Sequence, residues 1–195
     1  MNVQAQDKKV AIASATAGSY QTGEEAKYAI DGNYNTMWHS SYSSTSFPVT
    51  FTVKLKEVSH VDYVKYVPRC DGSQNGNWVQ VEVLYSEKTT GSTFKSVGTF
   101  TPNGTSASSE FDLGGVDCGQ IRFKISRGYF NVASAAEIEV YQIDNTKREA
   151  FATYFADELY SELKPEVTSS EGIEDADVKQ LVDNLLADAE SYKKF

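Results

Sequence analysis

Between Ala29 and Ser41 the chain reads Ala-Ile-Asp-Gly-Asn-Tyr-Asn-Thr-Met-Trp-His-Ser-Ser, a run rich in oxygen donors. Asp31-Gly32 predicts a turn, because glycine tolerates a positive φ and aspartate bonds back to its local backbone. Thr36, five residues on, returns a hydroxyl and a carbonyl towards Asp31. A carboxylate, a hydroxyl and several main-chain oxygens are the donors a hard cation takes. Trp38 supplies a large apolar anchor, and His39 falls on the opposite side of an extended segment. The run is expected to hold a metal on one side and present a polar ring to solvent on the other. Taken alone, it also describes a surface turn with a core tryptophan behind it.

No catalytic constellation accompanies it. His39 and His60 are the only histidines, so the H-E-x-x-H pattern of a zinc peptidase is absent, and His60 is followed by Val61 and Asp62. No Ser/His/Asp or Cys/His set stands out.

The elements that must position these residues read as strands. Val10–Ala13 starts the series. Pro48–Leu55 alternates through Val49, Phe51, Val53 and Leu55, and Trp78–Tyr85 through Val79, Val81, Val83 and Tyr85. Val58–Val67, Phe94–Phe100, Glu110–Leu113, Ile121–Ser126 and Glu137–Ile143 continue it, and Gly23–Ala29 suits a helical turn into the Asp31 loop. Short strands separated by Gly, Ser, Asn and Pro imply an all-β, antiparallel β-sandwich over residues 9–144, after a leader at 1–8.

After Asn145 the pattern changes. Thr146-Lys-Arg-Glu149 suits a capping box, with Phe151, Tyr154, Phe155, Leu159 and Leu163 at helical spacing before Pro165. A second amphipathic helix is expected from Asp175 or Asp177, with Val178, Leu181, Val182, Leu185, Leu186 and Ala189 on one stripe. These α-helices cannot close a core alone. They are expected to pack on the sandwich, on each other in a partner's presence, or on a covalently linked downstream domain, so residues 146–195 read as the start of a further domain or as a linker.

The formal charge is −9. The acidity is concentrated after Asn145, which holds 12 of the 27 acidic but 6 of the 18 basic side chains. Neither part forms a basic face, so nucleic acid is not an expected partner. No stretch of eighteen apolar residues is present for a membrane span. Val3-Gln4-Ala5 has the small-x-small look of a signal-peptidase site, so an exported protein is expected.

Three stretches together resemble the discoidin, or coagulation-factor V/VIII type C, family, and within it carbohydrate-binding module family 32. They are Ala29–Ser41, Tyr66-Val-Pro-Arg-Cys-Asp-Gly-Ser-Gln-Asn-Gly-Asn-Trp78 and Ala133-Ser-Ala-Ala-Glu-Ile-Glu-Val-Tyr141. The resemblance implies a galactose-binding-like jelly roll with a structural Ca²⁺. The matching metal positions are the carbonyls of Tyr28, Asn33, Thr36 and Ala136, the Thr36 hydroxyl, and the carboxylates of Asp31 and Glu137. It also implies a site for galactose or N-acetylgalactosamine termini of mucin-like glycans. His39, Arg69 and Asn75 match its polar positions, Tyr129 or Phe130 its stacking aromatic, Tyr42 an extension of the platform, and Glu24 or Glu25 its edge. On that fold Cys70 and Cys118 fall at opposite ends, roughly 20 Å apart at about 3.3 Å per strand residue, so both thiols are expected to be unpaired.

The C-terminal helices, with Glu162-Leu-Lys-Pro-Glu-Val167, resemble the opening of enhancin-like, mucin-degrading metallopeptidases. The chain is then expected to be a monomeric, secreted or cell-surface targeting module without catalysis of its own. A lipid-binding or adhesive discoidin, a ligand-free spacer and a glycosidase built on a carboxylate pair are the alternatives.

Overall fold

The computed structural model describes residues 7–43 and 45–143, together with Ala176, Lys179, Gln180 and Asp183, which are helical. Of the leader expected at 1–8, residues 1–6 lie outside the described residues, while Lys8 already pairs as a strand with Gln142 and Asp7 accepts from the Tyr63 hydroxyl. The helix expected after Thr146 and the apolar stripe from Val178 to Ala189 also lie outside the described residues.

Residues Asp7–Ile143 form one compact unit. Its strands are β1 (Lys8–Lys9), β2 (Ile12–Ala17), β3 (Trp38–His39), β4 (Val49–Val67), β5 (Trp78–Ser86), β6 (Lys95–Phe100), β7 (Ser109–Gly128), β8 (Ser134–Ala135) and β9 (Glu137–Gln142). All pairings are antiparallel.

The two strands expected at Pro48–Leu55 and Val58–Val67 are one, β4, and those at Glu110–Leu113 and Ile121–Ser126 are one, β7. Both cross from one layer to the other. Their register slips between Lys54 and Ser59, where Lys56, Glu57 and Val58 stand exposed. Before that break β4 lies between β2 and the 120–125 part of β7, which leads on to β5 and β6. After it, β4 lies between β9 and the 109–118 part of β7, with β1 on the outer edge. The paired long strands therefore carry both sheets of the sandwich, bulges supplying the bend.

The two inner faces close on each other. Phe51, Val53, Val81, Val83, Ile121 and Phe123 from one layer meet Val64, Tyr66, Phe111, Ile138 and Val140 from the other, all essentially buried. Slips at Val61/Tyr63 and at Trp78/Gln80 decide which residues turn inward. The second puts Trp78 rather than Val79 in the core, against the alternation expected from sequence. Trp78 stacks on Tyr66 at 4.1 Å and on Phe111 at 6.3 Å. Each such ring is worth roughly 1.5–3 kcal/mol of burial. Tyr66 also keeps its hydroxyl bonded, accepting from Trp78 N and donating to the Ser134 carbonyl, both at 3.1 Å.

Candidate functional site

The short strand β3 is where the site starts. Trp38 packs on Phe51 at 4.8 Å and donates Nε1–H to the Ser19 carbonyl at 3.0 Å, the anchor its sequence position implied. His39 is held from both sides. On one edge its carbonyl and N–H bond Gln21 N and Glu24 O, at 2.8 and 3.1 Å. On the other it pairs with Ser134 of β8. The Tyr42 ring covers it edge-on at 4.7 Å. His39 is therefore only 2% exposed, which corrects the expectation of a ring presented to solvent. Strand alternation does put it opposite Trp38, but covering elements occupy that side too.

Burial lowers the His39 pKa, against its bond to the Ser40 carbonyl and the charge of Glu24. Nδ1 lies 2.6 Å from that carbonyl. The neutral ring thus donates through Nδ1–H and keeps a lone pair on Nε2. Tyr42, 60% exposed, donates its hydroxyl to Glu24 Oε2 at 2.8 Å, which raises the phenol's pKa. Glu24 accordingly belongs to this edge, and Glu25 does not: its carboxylate accepts from Gly23 N.

Arg69 is clamped. Nε donates to Asp71 Oδ1 at 2.7 Å, Nη2 to Asp71 Oδ2, and Nη1 to the Asn75 carbonyl at 3.2 Å. The guanidinium hydrogen bonds drive the Asp71 carboxyl down to about 2. Asn75 holds Arg69 with its backbone, leaving its exposed side-chain amide at the rim. The fields of Glu24, Arg69 and Asp71 act on both His39 and Tyr42, so the four predicted residues Glu24, His39, Tyr42 and Arg69 form one cluster with Asp71.

The aromatic turn is stitched to this cluster through its backbone. Gly76 N bonds the Tyr129 carbonyl, Ser134 N bonds Gly76 O, and Ser134 Oγ bonds the Asn75 carbonyl, at 3.1, 2.8 and 2.9 Å. Only glycine fits at position 76: its φ is +85°, and a Cβ would lie 2.7 Å from Ser134 N. The Tyr129 ring lies against Gly104, where a Cβ would meet it at 2.2 Å. Phe130 is the open ring, 71% exposed, with its edge or face 5.6 Å from Tyr129 by centroid. Phe130 also sits in the left-handed region, at φ 56°, a costly conformation for a bulky residue.

Asp31, Asn33, Thr36 and Glu137 meet in the metal-type loop. Thr36 Oγ1 donates to Asp31 at 2.8 Å and lies 2.7 Å from the Asn33 carbonyl, while Gly32 N donates to Glu137 Oε2 at 3.0 Å. The 3-10 turn Ala26–Ala29, which carries Tyr28, packs on β9, and Ala136 is the buried step into β9. Glu137 is no solvent-facing strand residue: it is 1% exposed. Burial pushes its carboxyl up to about 7, the charges of Asp31 and Glu139 adding to that and the Gly32 bond opposing it. Glu139, also buried, is held low by bonds from Lys9, Tyr141 and Tyr34 that outweigh its desolvation. An undercompensated carboxylate beside a second one, with hydroxyl and carbonyl oxygens around them, fits a hard divalent cation. Among the described residues no group of three or more His, Cys, Asp or Glu side chains is arranged to hold a metal ion.

Sequence reasoning missed Asp71, Ser40 and Ser134. Asp71 was readable as an Arg-x-Asp spacing, but the serines act across 59 and 93 residues of sequence. Cys70 is exposed and Cys118 buried, and both are free. A shallow groove of about 400 Å³ between Phe47, Gln80, Glu82 and Lys124 opens elsewhere, over the outer face of β5 and β7, and none of the site residues lines it.

Residues 12–138 match the F5/8 type C domain. Galactose oxidase of Gibberella zeae is 37% identical over 75 residues, 37% of this chain and 11% of that protein. The chain thus spans about a tenth of the length of the curated relatives it matches. Among solved structures, the family 32 carbohydrate-binding module of C. perfringens NanJ, in complex with galactose, is 25% identical. The match covers 70% of this chain and 100% of that one, with a TM-score of 0.64. CBM32-5 of CpGH89 from Clostridium perfringens, in complex with GalNAc-β-1,3-galactose, is 28% identical over 66% of this chain and 94% of its own, with a TM-score of 0.62. The CBM32-1 and CBM32-2 domains of Clostridium perfringens ZmpB share the fold at 22% identity, over 94% of this chain and 51% of theirs, with a TM-score of 0.64. The family match takes in both layers and every site loop from Glu24 to Ser134, and the chain belongs to the F5/8 type C, or discoidin, family.

Proposed function

We propose that residues 9–144 form a non-catalytic carbohydrate-binding module for terminal galactose- or N-acetylgalactosamine-type sugars on mucin-like host glycans. In this reading the module acts as a monomer, carries a structural Ca²⁺ in the Asp31–Glu137 loop, and directs a larger secreted enzyme, such as a metallopeptidase, to those glycans. The observation that carries it is Phe130, an exposed ring held in a strained backbone conformation on the turn that Gly76 and Asn75 tie to the arginine clamp. Stability alone gives no reason to keep such a residue; strain of this kind persists where a side chain has work at a surface.

Galactose offers an apolar face and an axial hydroxyl next to an equatorial one. Phe130 covers the face, and Arg69 Nη protons left over from Asp71 and Asn75 donate to adjacent hydroxyls. His39 Nε2 accepts a hydroxyl proton at the buried edge, and the Asn75 amide serves the rim. Asp31, Glu137, Asn33, Thr36, Tyr28 and Ala136 would hold the cation, whose role is to fix the loop leading to Trp38 and His39. The similarity to galactose-bound and GalNAc-β-1,3-galactose-bound modules supports the sugar class. Titration of the chain with galactose and N-acetylgalactosamine, in calcium and after chelation, tests this reading. Saturable binding in calcium is expected; no binding of either sugar in calcium rejects it, and sedimentation with phosphatidylserine vesicles instead would favour a lipid-binding discoidin.

A further inference from the structure

The charges around the binding cluster do not balance, and that imbalance selects among sugars. Among the described residues Arg69 is the cation of the cluster, and its charge is already matched by Asp71, bonded to two of its nitrogens. Glu24 adds a second carboxylate, whose Oε2 takes the Tyr42 hydroxyl. His39 contributes no charge, being buried with Nδ1 on the Ser40 carbonyl. Lys27, the nearest lysine in sequence, lies over the Tyr28 ring at 4.7 Å instead. A cation in the neighbouring loop would face Asp31 and Glu137, its own counter-charges, and leaves this balance in place.

Resting on the sugar-binding reading above, we propose that this site takes neutral and amino-bearing hexoses and rejects hexuronates and sulfated sugars. Arg69 would ordinarily invite a carboxylate or sulfate as a bidentate partner. Here Asp71 already takes the Nε/Nη2 fork and matches the charge of Arg69. An anionic sugar therefore reaches only the remaining Nη protons, without a net cation behind them, and meets Glu24 and Asp71 unopposed. A protonated C2 amine gains the unmatched carboxylate of Glu24. One net charge at a few ångströms near a protein surface changes affinity by about three- to tenfold, and salt screens it.

The test compares methyl glycosides of galactose, galactosamine and galacturonic acid by titration calorimetry at pH 6 in calcium. Galactosamine is expected to bind tightest and galacturonate weakest, about three- to tenfold below galactose. The spread narrows when salt rises from about 50 to about 500 mM, as screening requires. Glu24→Gln and Asp71→Asn should each raise the galacturonate-to-galactose affinity ratio. If galactose binds and galacturonate binds equally well or better, charge selection is wrong and the sugar reading stands. An unchanged ratio in both variants also overturns it. If none of the three glycosides binds, both readings fall together.

Discussion

Ser40 and Ala133 exchange two hydrogen bonds, Ser40 N to the Ala133 carbonyl at 2.7 Å and Ala133 N to Ser40 Oγ at 2.9 Å, with both residues fully buried. This reciprocal pair joins the His39 segment to the chain that leaves the Phe130 turn. Ser40→Ala removes the only acceptor shown for the Ala133 N–H without removing its burial. A buried amide left unpaired costs about 1–3 kcal/mol. Urea unfolding of the variant should show a loss of that size, and galactose affinity should fall with it because both loops lose their shared tie.

Phe130 gives the opposite sign on stability. Asn and Gly tolerate φ near 56° far better than Phe, and a ring 71% exposed contributes little burial. Phe130→Asn is expected to raise stability by up to about 1 kcal/mol while weakening sugar binding about fivefold or more through the lost ring face. Denaturation and titration on the same sample check both; a variant that keeps full affinity would remove Phe130 from the site.

Glu137 makes the metal-free protein respond to acid in an unusual direction. Its carboxyl titrates at about 7 in the fold against 4.5 for a free glutamate. A raised folded pKa means that the folded state binds the proton more tightly. Its favourable contribution is therefore complete below pH 4.5 and lost as pH climbs through 7. Chelated protein should gain stability, by up to about 3 kcal/mol, between pH 8 and pH 5. Excess calcium should remove most of that gain by stabilising the ionised form, and Glu137→Gln should flatten the chelated profile. Thermal melts across this range, with and without calcium, read the effect.

The two thiols should separate cleanly in a labelling experiment. Cys70 is exposed, whereas Cys118 is fully buried, with its pKa pushed up to about 12 by burial and by Asp117. Brief alkylation of the folded chain should add one label, and alkylation in denaturant two, as mass spectrometry would show. A folded chain that takes no label would point to a blocked or bridged Cys70.

Much of this architecture is legible from alternation. Val49, Phe51, Val53 and Leu55 all face the core as their spacing implies, and the Glu24, His39, Tyr42 and Arg69 residues do assemble. Bulges are the first thing alternation hides. The slip at Trp78/Gln80 exchanges Trp78 for Val79 inside, and Lys56-Glu57 reads as a break between two strands although one strand runs through. Long-range covering is the second. Nothing near His39 in sequence announces that Ser134 and Ala133 will close over it, because the partner strand lies some ninety residues away. Partner choice by Arg69 is the third: an exposed arginine in a loop reads as a free donor until Asp71 is seen to fill it.

The pairing of β1 with β9 sets Lys8 directly opposite Gln142 and Lys9 opposite Tyr141. Backbone entry and exit are thus about 5 Å apart, a gap that two or three linking residues would span. A unit hung this way can be spliced into a surface loop of another protein, or cut out of one, with little disturbance to its host. Tension applied across the two attachment points would load the short β1–β9 ladder first, opening it bond by bond before the long strands bear any strain.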